Sequence, residues 1–186
     1  MEDTQILDLY WERNELAIRE SEKSYGRYCQ SIAYNILHDR EDSDECVNDT
    51  WMRAWGVIPP KRPDRLAIFL GTITRNLSID RWKRKRAQKR GNGETEVALE
   101  ELTECIPAVN STEDIVEASE LERMINDFLY SLSEQDCNVF LRRYWFMEEY
   151  AVISDKYGIK LNTVKTSLHR TREKLRVYLE KEGVAL

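Results

Sequence analysis

A chain of 186 residues, 41% hydrophobic and 10% aromatic, carries enough apolar mass for one domain or two small ones. No apolar run reaches bilayer length, and the acidic opening MEDTQILDLYWERNE lacks the basic-then-apolar order of a secretory signal, so membrane insertion is not expected and a cytoplasmic location is. Cys29, Cys46, Cys105 and Cys137 form no C-x-x-C pair, and His38 and His169 do not cluster with them; this excludes a zinc site or disulfide framework, and neither metal nor cofactor is expected.

Apolar residues recur at helical spacing and no sustained alternation of period two is present, so an all-α fold is expected. It divides into two small helical domains, residues 1–90 and 114–186, joined by a flexible acidic linker at 91–113. An opening helix is predicted over residues 4–21, with Ile6, Leu7, Tyr10 and Leu16 inward. A second, over 23–37, places Tyr25, Tyr28, Cys29, Ile32, Ala33 and Ile36 along one stripe. Asp39 and Asp42 precede a third helix and either could cap it; Val47, Trp51, Ala54 and Trp55 form its apolar side. Three prolines in GVIPPKRPDR then break the chain. A fourth helix begins near Arg65, with Ile68, Phe69, Ile73, Leu77 and Trp82 available for packing.

The glycines, acids and proline of residues 91–113 fit a linker, with room for short helical turns. Beyond it, Leu121, Met124, Ile125, Phe128 and Leu129 mark a helix, and Ser131-Leu-Ser-Glu-Gln-Asp offers a cap to the next, whose core includes Val139, Phe140 and Tyr144. Residues 149–176 read as two short helices joined at Gly158, the outline of a helix-turn-helix. In its second helix Val164, Leu168, Thr171 and Leu175 share one face, while Asn162, Thr163, Lys165, Thr166, His169 and Arg170 lie away from it. Lys and Arg neutralise phosphates or donate to guanine, and Asn or Thr can bond base edges, so this outer face suits DNA.

The net charge of −6 conceals segregation along the chain. Residues 75–90 hold eight Arg or Lys against Asp80, and residues 160–176 hold six against Glu173, while residues 91–127 hold eleven acids against Arg123. The first basic island, with Arg75, Asn76, Asp80, Arg81, Lys83 and Arg84 on one helix, has the chemistry to track DNA. Trp51 and Trp55, four residues apart, read as packing residues rather than base-stacking ones. The acidic run from Asp39 is no EF-hand, because Asp44 and Thr50 stand where glycine and glutamate are required. It is a solvated helix start or a docking surface for a basic partner. No nucleophile elbow, phosphate loop or H-E-x-x-H is present, so an enzyme is not expected.

Taken in order, three segments resemble those of a bacterial RNA polymerase sigma factor of the extracytoplasmic-function group. DSDECVNDTWMRAW resembles the helix that docks on the clamp helices of the polymerase β′ subunit, FLGTITRNLSIDRWKRKR the helix that opens and reads the −10 promoter element, and the segment from LSEQD to REKLR the reader of the −35 element. The resemblance implies a polymerase-docking face at Asp44, Glu45, Asn48, Asp49 and Arg53, a −10 reader at Arg75, Asn76, Asp80, Arg81, Lys83 and Arg84, and a −35 reader on the outer face already named. It further implies a pocket for a flipped base formed by residues 57–66 and the helix after them, near Asn76. Implied partners are core RNA polymerase (β′ clamp helices and β subunit), promoter DNA and an anti-sigma factor.

Three features depart from the family pattern, one of them the unusual composition of the loop PPKRP before the fourth helix. Lys160 replaces the usual capping serine, with Asn162 or Thr163 as substitutes, and Ser167 stands where an arginine is frequent. The linker's acidity suggests that it shields the basic islands or occupies a basic channel of the polymerase. The rival readings are a stand-alone helix-turn-helix regulator and an interaction protein that mimics a sigma factor.

Overall fold

The computed structural model describes residues 1–86, 94–103 and 115–184. Cys105 and the basic positions 89 and 90 lie outside them. The described residues are helices and their connections, without a strand, in two compact units, Met1–Gly91 and Asn92–Leu186.

The first unit contains α1 (Asp3–Trp11), α2 (Leu16–Leu37), α3 (Arg40–Val57) and α4 (Leu66–Arg86). The single opening helix expected over 4–21 is in fact two. Arg13 adopts a left-handed φ of 55°, the Asn14 side chain accepts a hydrogen bond from the Leu16 N–H at 3.0 Å, and the chain turns between Trp11 and Leu16. Neither glycine nor proline marks that turn, which is why helical periodicity ran straight through it. Leu16, expected inside, is exposed, while Ile6, Leu7 and Tyr10 are buried.

His38 ends α2 in a left-handed conformation, and Asp39 caps α3 by accepting from the Asp42 N–H at 2.9 Å. Helices α2, α3 and α4 pack on one another, with α1 along α2. Their core joins Tyr10, Cys29, Ala33, Trp51, Leu66 and Leu70. Ile68 was expected in it and instead lies exposed; Leu66 and Leu70 hold the inward face of α4.

Two contacts fix α4 in place. Thr50 and Thr74 meet at 3.0 Å between α3 and α4, both fully buried, and each hydroxyl also lies within bonding distance of the carbonyl four residues before it. Two hydroxyl protons serve these three contacts, so one hydroxyl donates across the helices while the other donates back along its own. Gly71 lets α2 approach, because a Cβ there would stand 2.4 Å from the Tyr28 hydroxyl and 2.8 Å from its ring.

The second unit contains α5 (Glu94–Thr103), α6 (Ile115–Ser131), α7 (Glu134–Tyr144), α8 (Tyr150–Tyr157) and α9 (Leu161–Lys181). Helix α5 lies within the span expected as linker, yet it packs on α7. Ser133 caps α7, accepting from the Asp136 N–H at 3.2 Å. Val139, Phe140, Ile153, Val164, Leu168, Leu175 and Leu179 form the buried centre, with Met124 and Phe128 of α6. No described helix is long and apolar enough to cross a membrane.

Candidate nucleic-acid interface

Helix α8 ends where Gly158 takes a φ of 62°, a conformation that costs glycine little and other residues more. Ile159 N–H then donates to the Ser154 carbonyl at 3.1 Å, while the Ser154 hydroxyl donates to the Ile159 carbonyl at 2.6 Å. This reciprocal closure sets the direction in which α9 leaves the turn. Along α9, Val164, Leu168, Thr171, Leu175 and Leu179 are buried, while Asn162, Thr163, Lys165, Thr166, His169 and Arg170 are all exposed. The predicted division of the helix into a packing face and an outer face therefore holds at every one of those positions.

The first turn of α9 differs from expectation. Lys160 is the N-cap and no side-chain hydrogen bond caps the helix there; the Lys160 carbonyl accepts from the N–H groups of Thr163 and Val164. The Asn162 carbonyl accepts from the Thr166 hydroxyl at 2.8 Å, a bond within the helix that satisfies none of its first N–H groups. Ser167 also has a role its sequence position did not reveal. Its hydroxyl donates to Asp136 at 2.6 Å, and that bond, with help from Ser133 and Lys174, holds the Asp136 carboxyl below its usual range against the opposing effect of burial. It ties α9 to the start of α7.

In α4 the outer stripe runs through Thr72, Asn76, Asp80 and Lys83, with Arg84 beside it, all exposed. Arg81, expected in the −10 group, turns toward α3 instead of joining that exposed stripe. It lies seven residues after buried Thr74, two helical turns along the same inward face, and its guanidinium pairs with Glu45 and, at 3.2 Å, with Asp42 of α3. Lys85 pairs with the other oxygen of Asp42. The Lys85 hydrogen bond and charge, followed by those of Arg81, draw the Asp42 carboxyl below its usual range although burial opposes them. Arg75 is likewise half-buried, and desolvation lowers its pKa. The inward sequence Thr74, Ser78, Arg81 was the signal that could have separated Arg81 from its exposed neighbours.

The residues expected to dock polymerase, Asp44, Glu45, Asn48, Asp49 and Arg53, are all exposed on α3. Asp44 and Asn48 border an open groove between α2 and α3 that Gly26, Arg27, Gln30 and Tyr34 also line. Glu45 differs from the others in being paired with Arg81. The proline-rich segment before α4 is tied to α1 through Arg62, which pairs with Asp8 at 2.6 Å and lies over the Trp11 ring; separately, Arg13 of the α1–α2 turn donates to the Trp55 carbonyl of α3 at 2.7 Å.

Sequence reading missed the polar centre of the second unit. Glu101 of α5 accepts from the Tyr144 and Tyr150 hydroxyls and lies 3.4 Å from Arg143 and 3.6 Å from Arg172. Burial, joined by the bond to Glu101, pushes Tyr150 up to about 12. Glu148, nearby in sequence, pairs with Arg142 at 3.0 Å and with Lys156 at 3.4 Å.

Residues 23–88 match sigma-70 region 2, and residues 122–175 match sigma-70 region 4. The chain belongs to the sigma-70 family. Similar proteins include the ECF RNA polymerase sigma factor SigE of Mycolicibacterium smegmatis, 28% identical over 153 residues that span 82% of this chain and 57% of that protein. The ECF RNA polymerase sigma factor SigL of Mycobacterium tuberculosis is 29% identical over 156 residues, 82% of each chain. With its two regions in this order, this is a sigma factor of the extracytoplasmic-function type. In this sigma factor, region 2 begins within α2 and covers α3 and α4, and region 4 begins within α6 and ends within α9.

Proposed function

We propose that this sigma factor binds core RNA polymerase through the exposed face of α3, reads and helps to open the −10 element with α4, and reads the −35 element with α9. The division of α9 carries the reading: six polar or basic residues are exposed opposite a stripe of five buried ones. A helix whose inner face is fully committed to packing presents the rest of its surface rigidly, which major-groove recognition demands. Within that outer face Lys165 and Arg170 contact phosphate or guanine, and Asn162, Thr166 and His169 contact base edges or sugar.

At the downstream element Asn76, Asp80, Lys83 and Arg84 form the contact stripe, and residues 57–66 hold the flipped base. Arg81 supports that stripe from behind. On α3, Asp44, Asn48, Asp49 and Arg53 are exposed on the docking face, and the adjoining groove offers room for a partner helix. Catalysis belongs to the polymerase, and the factor works in the cytoplasm. An anti-sigma factor enters as a further partner on the family resemblance alone.

Run-off transcription with purified core enzyme on a genomic fragment library tests the whole reading. Discrete start sites that require the added chain are expected, and their upstream sequences give both elements. Charge reversal at Asp49 should abolish co-purification with polymerase while leaving the chain folded. Duplex binding with no association with polymerase would establish a stand-alone regulator instead, and association with polymerase without chain-dependent transcripts a protein that mimics a sigma factor.

A further inference from the structure

We propose that Glu101 of α5 is a positioning residue for −35 recognition, acting through Tyr150 on Lys165. The inference rests on the assignment of α9 as the −35 reader.

Arg143 is fully buried, and a guanidinium withdrawn from water needs a countercharge close by. Glu101 supplies one from a helix outside the helix-turn-helix, with its carboxylate 3.4 Å from Arg143 and 3.6 Å from Arg172. The Tyr144 hydroxyl donates to Glu101 at 3.1 Å and accepts from Arg172 at 2.6 Å. The Tyr150 hydroxyl donates to the other oxygen of Glu101. Together these contacts use much of what a carboxylate can accept, and so hold it in one orientation.

Tyr150 is the first residue of α8, and its ring carries two cations. The Arg143 guanidinium carbon lies 4.0 Å from the ring centroid and the Lys165 Nζ lies 5.3 Å from it. Lys165 is exposed on the outer face of α9, where an unsupported lysine would sample many rotamers. A ring fixed at its hydroxyl by Glu101 restricts that freedom and holds the ammonium beside the groove-reading surface. Replacing Glu101 removes both the anchor of the ring and the countercharge of Arg143, so Lys165 loses its support although no residue of the reading face has changed.

The experiment uses the full chain with core polymerase and a promoter fragment recovered by run-off transcription, with its upstream element intact or scrambled. The measured quantity is the ratio of the two affinities, and thermal melts followed by circular dichroism report folding. Glu101→Gln and Tyr150→Phe should each lower the ratio by about three- to fivefold, the scale of one cation–π contact. Lys165→Ala should lower it as well, and Glu101→Gln added to Lys165→Ala should lower it no further. Tyr150→Phe keeps the ring in its packing, so it decides the matter if Glu101→Gln unfolds the second unit. If Lys165→Ala loses discrimination while Tyr150→Phe and a folded Glu101→Gln keep it, the positioning role is wrong and the reading face stands. Additive losses in the double variant mean that Glu101 affects discrimination by a route independent of Lys165 and overturn the proposal. Unchanged discrimination in Lys165→Ala overturns the role of Lys165 in reading, and the proposal with it.

Discussion

Arg81 and Arg84 stand three positions apart on one helix and have different work. Arg84 is exposed and bonds to the Asp80 carbonyl of its own helix, at 3.3 Å, whereas Arg81 turns inward to Asp42 and Glu45. Replacing Arg84 with alanine should weaken promoter binding and reduce the slope of log affinity against log salt by about one, with stability unchanged. Arg81→Ala should instead lower the stability of the first unit by about 1–3 kcal/mol, because a partly buried pair loses its cation and Asp42 keeps only Lys85. Denaturant unfolding and a salt titration on each variant separate the two roles. Ser167 makes the same point from the opposite direction, since the position where an arginine would reach phosphate here donates to Asp136.

At the scale of the element, one absent side chain and one ionic clasp add to the buried Thr50–Thr74 contact in placing α4. Gly71→Ala drives a Cβ into the Tyr28 ring, and overpacking of this kind costs about 1–3 kcal/mol. The loss should appear in denaturant unfolding and be recovered in part by Tyr28→Leu, whose shorter side chain vacates the clash. The clasp of Asp42 with Arg81 and Lys85 predicts acid sensitivity with a definite sign. The folded carboxyl titrates below its unfolded counterpart, so its contribution is present above the ordinary aspartate range and disappears as pH falls through the lower, folded value. An Asp42→Asn chain should be less stable than the parent at neutral pH and converge with it as acid protonates Asp42 in the parent. Melting temperatures across that window measure it.

Over the whole molecule, the two units have separate cores, and this dictates how damage spreads. Leu168 is 1% exposed, and truncating a buried leucine costs about 2–5 kcal/mol. Leu168→Ala should therefore lower the unfolding free energy of the second unit, followed by hydrogen exchange of the backbone amides of α7, α8 and α9, and leave that of the first, followed in α2, α3 and α4, where it was. Polymerase association through α3 should survive a lesion that abolishes −35 recognition.

Much of this protein was legible in its sequence because a helix's two faces are a local property. The spacing of Val164, Leu168, Thr171 and Leu175 determines which residues of α9 face outward wherever the helix docks, and Gly158 announces its own turn. The same logic exposed Asp44, Asn48 and Asp49 on α3. The turn at Arg13 escaped because neither glycine nor proline marks it, and a lone asparagine such as Asn14 also occurs within helices. Only the tertiary structure decided what each charge meets. Arg81 meets an acid 36 positions away in Glu45, and Glu101 meets an arginine 42 positions away in Arg143. A basic residue reads the same along the chain whether its partner is a phosphate or a distant carboxylate, since that choice depends on which helices the apolar cores bring together. For the same reason a stretch that reads as acidic linker contributes, through Glu101, to the polar centre of the DNA-reading unit.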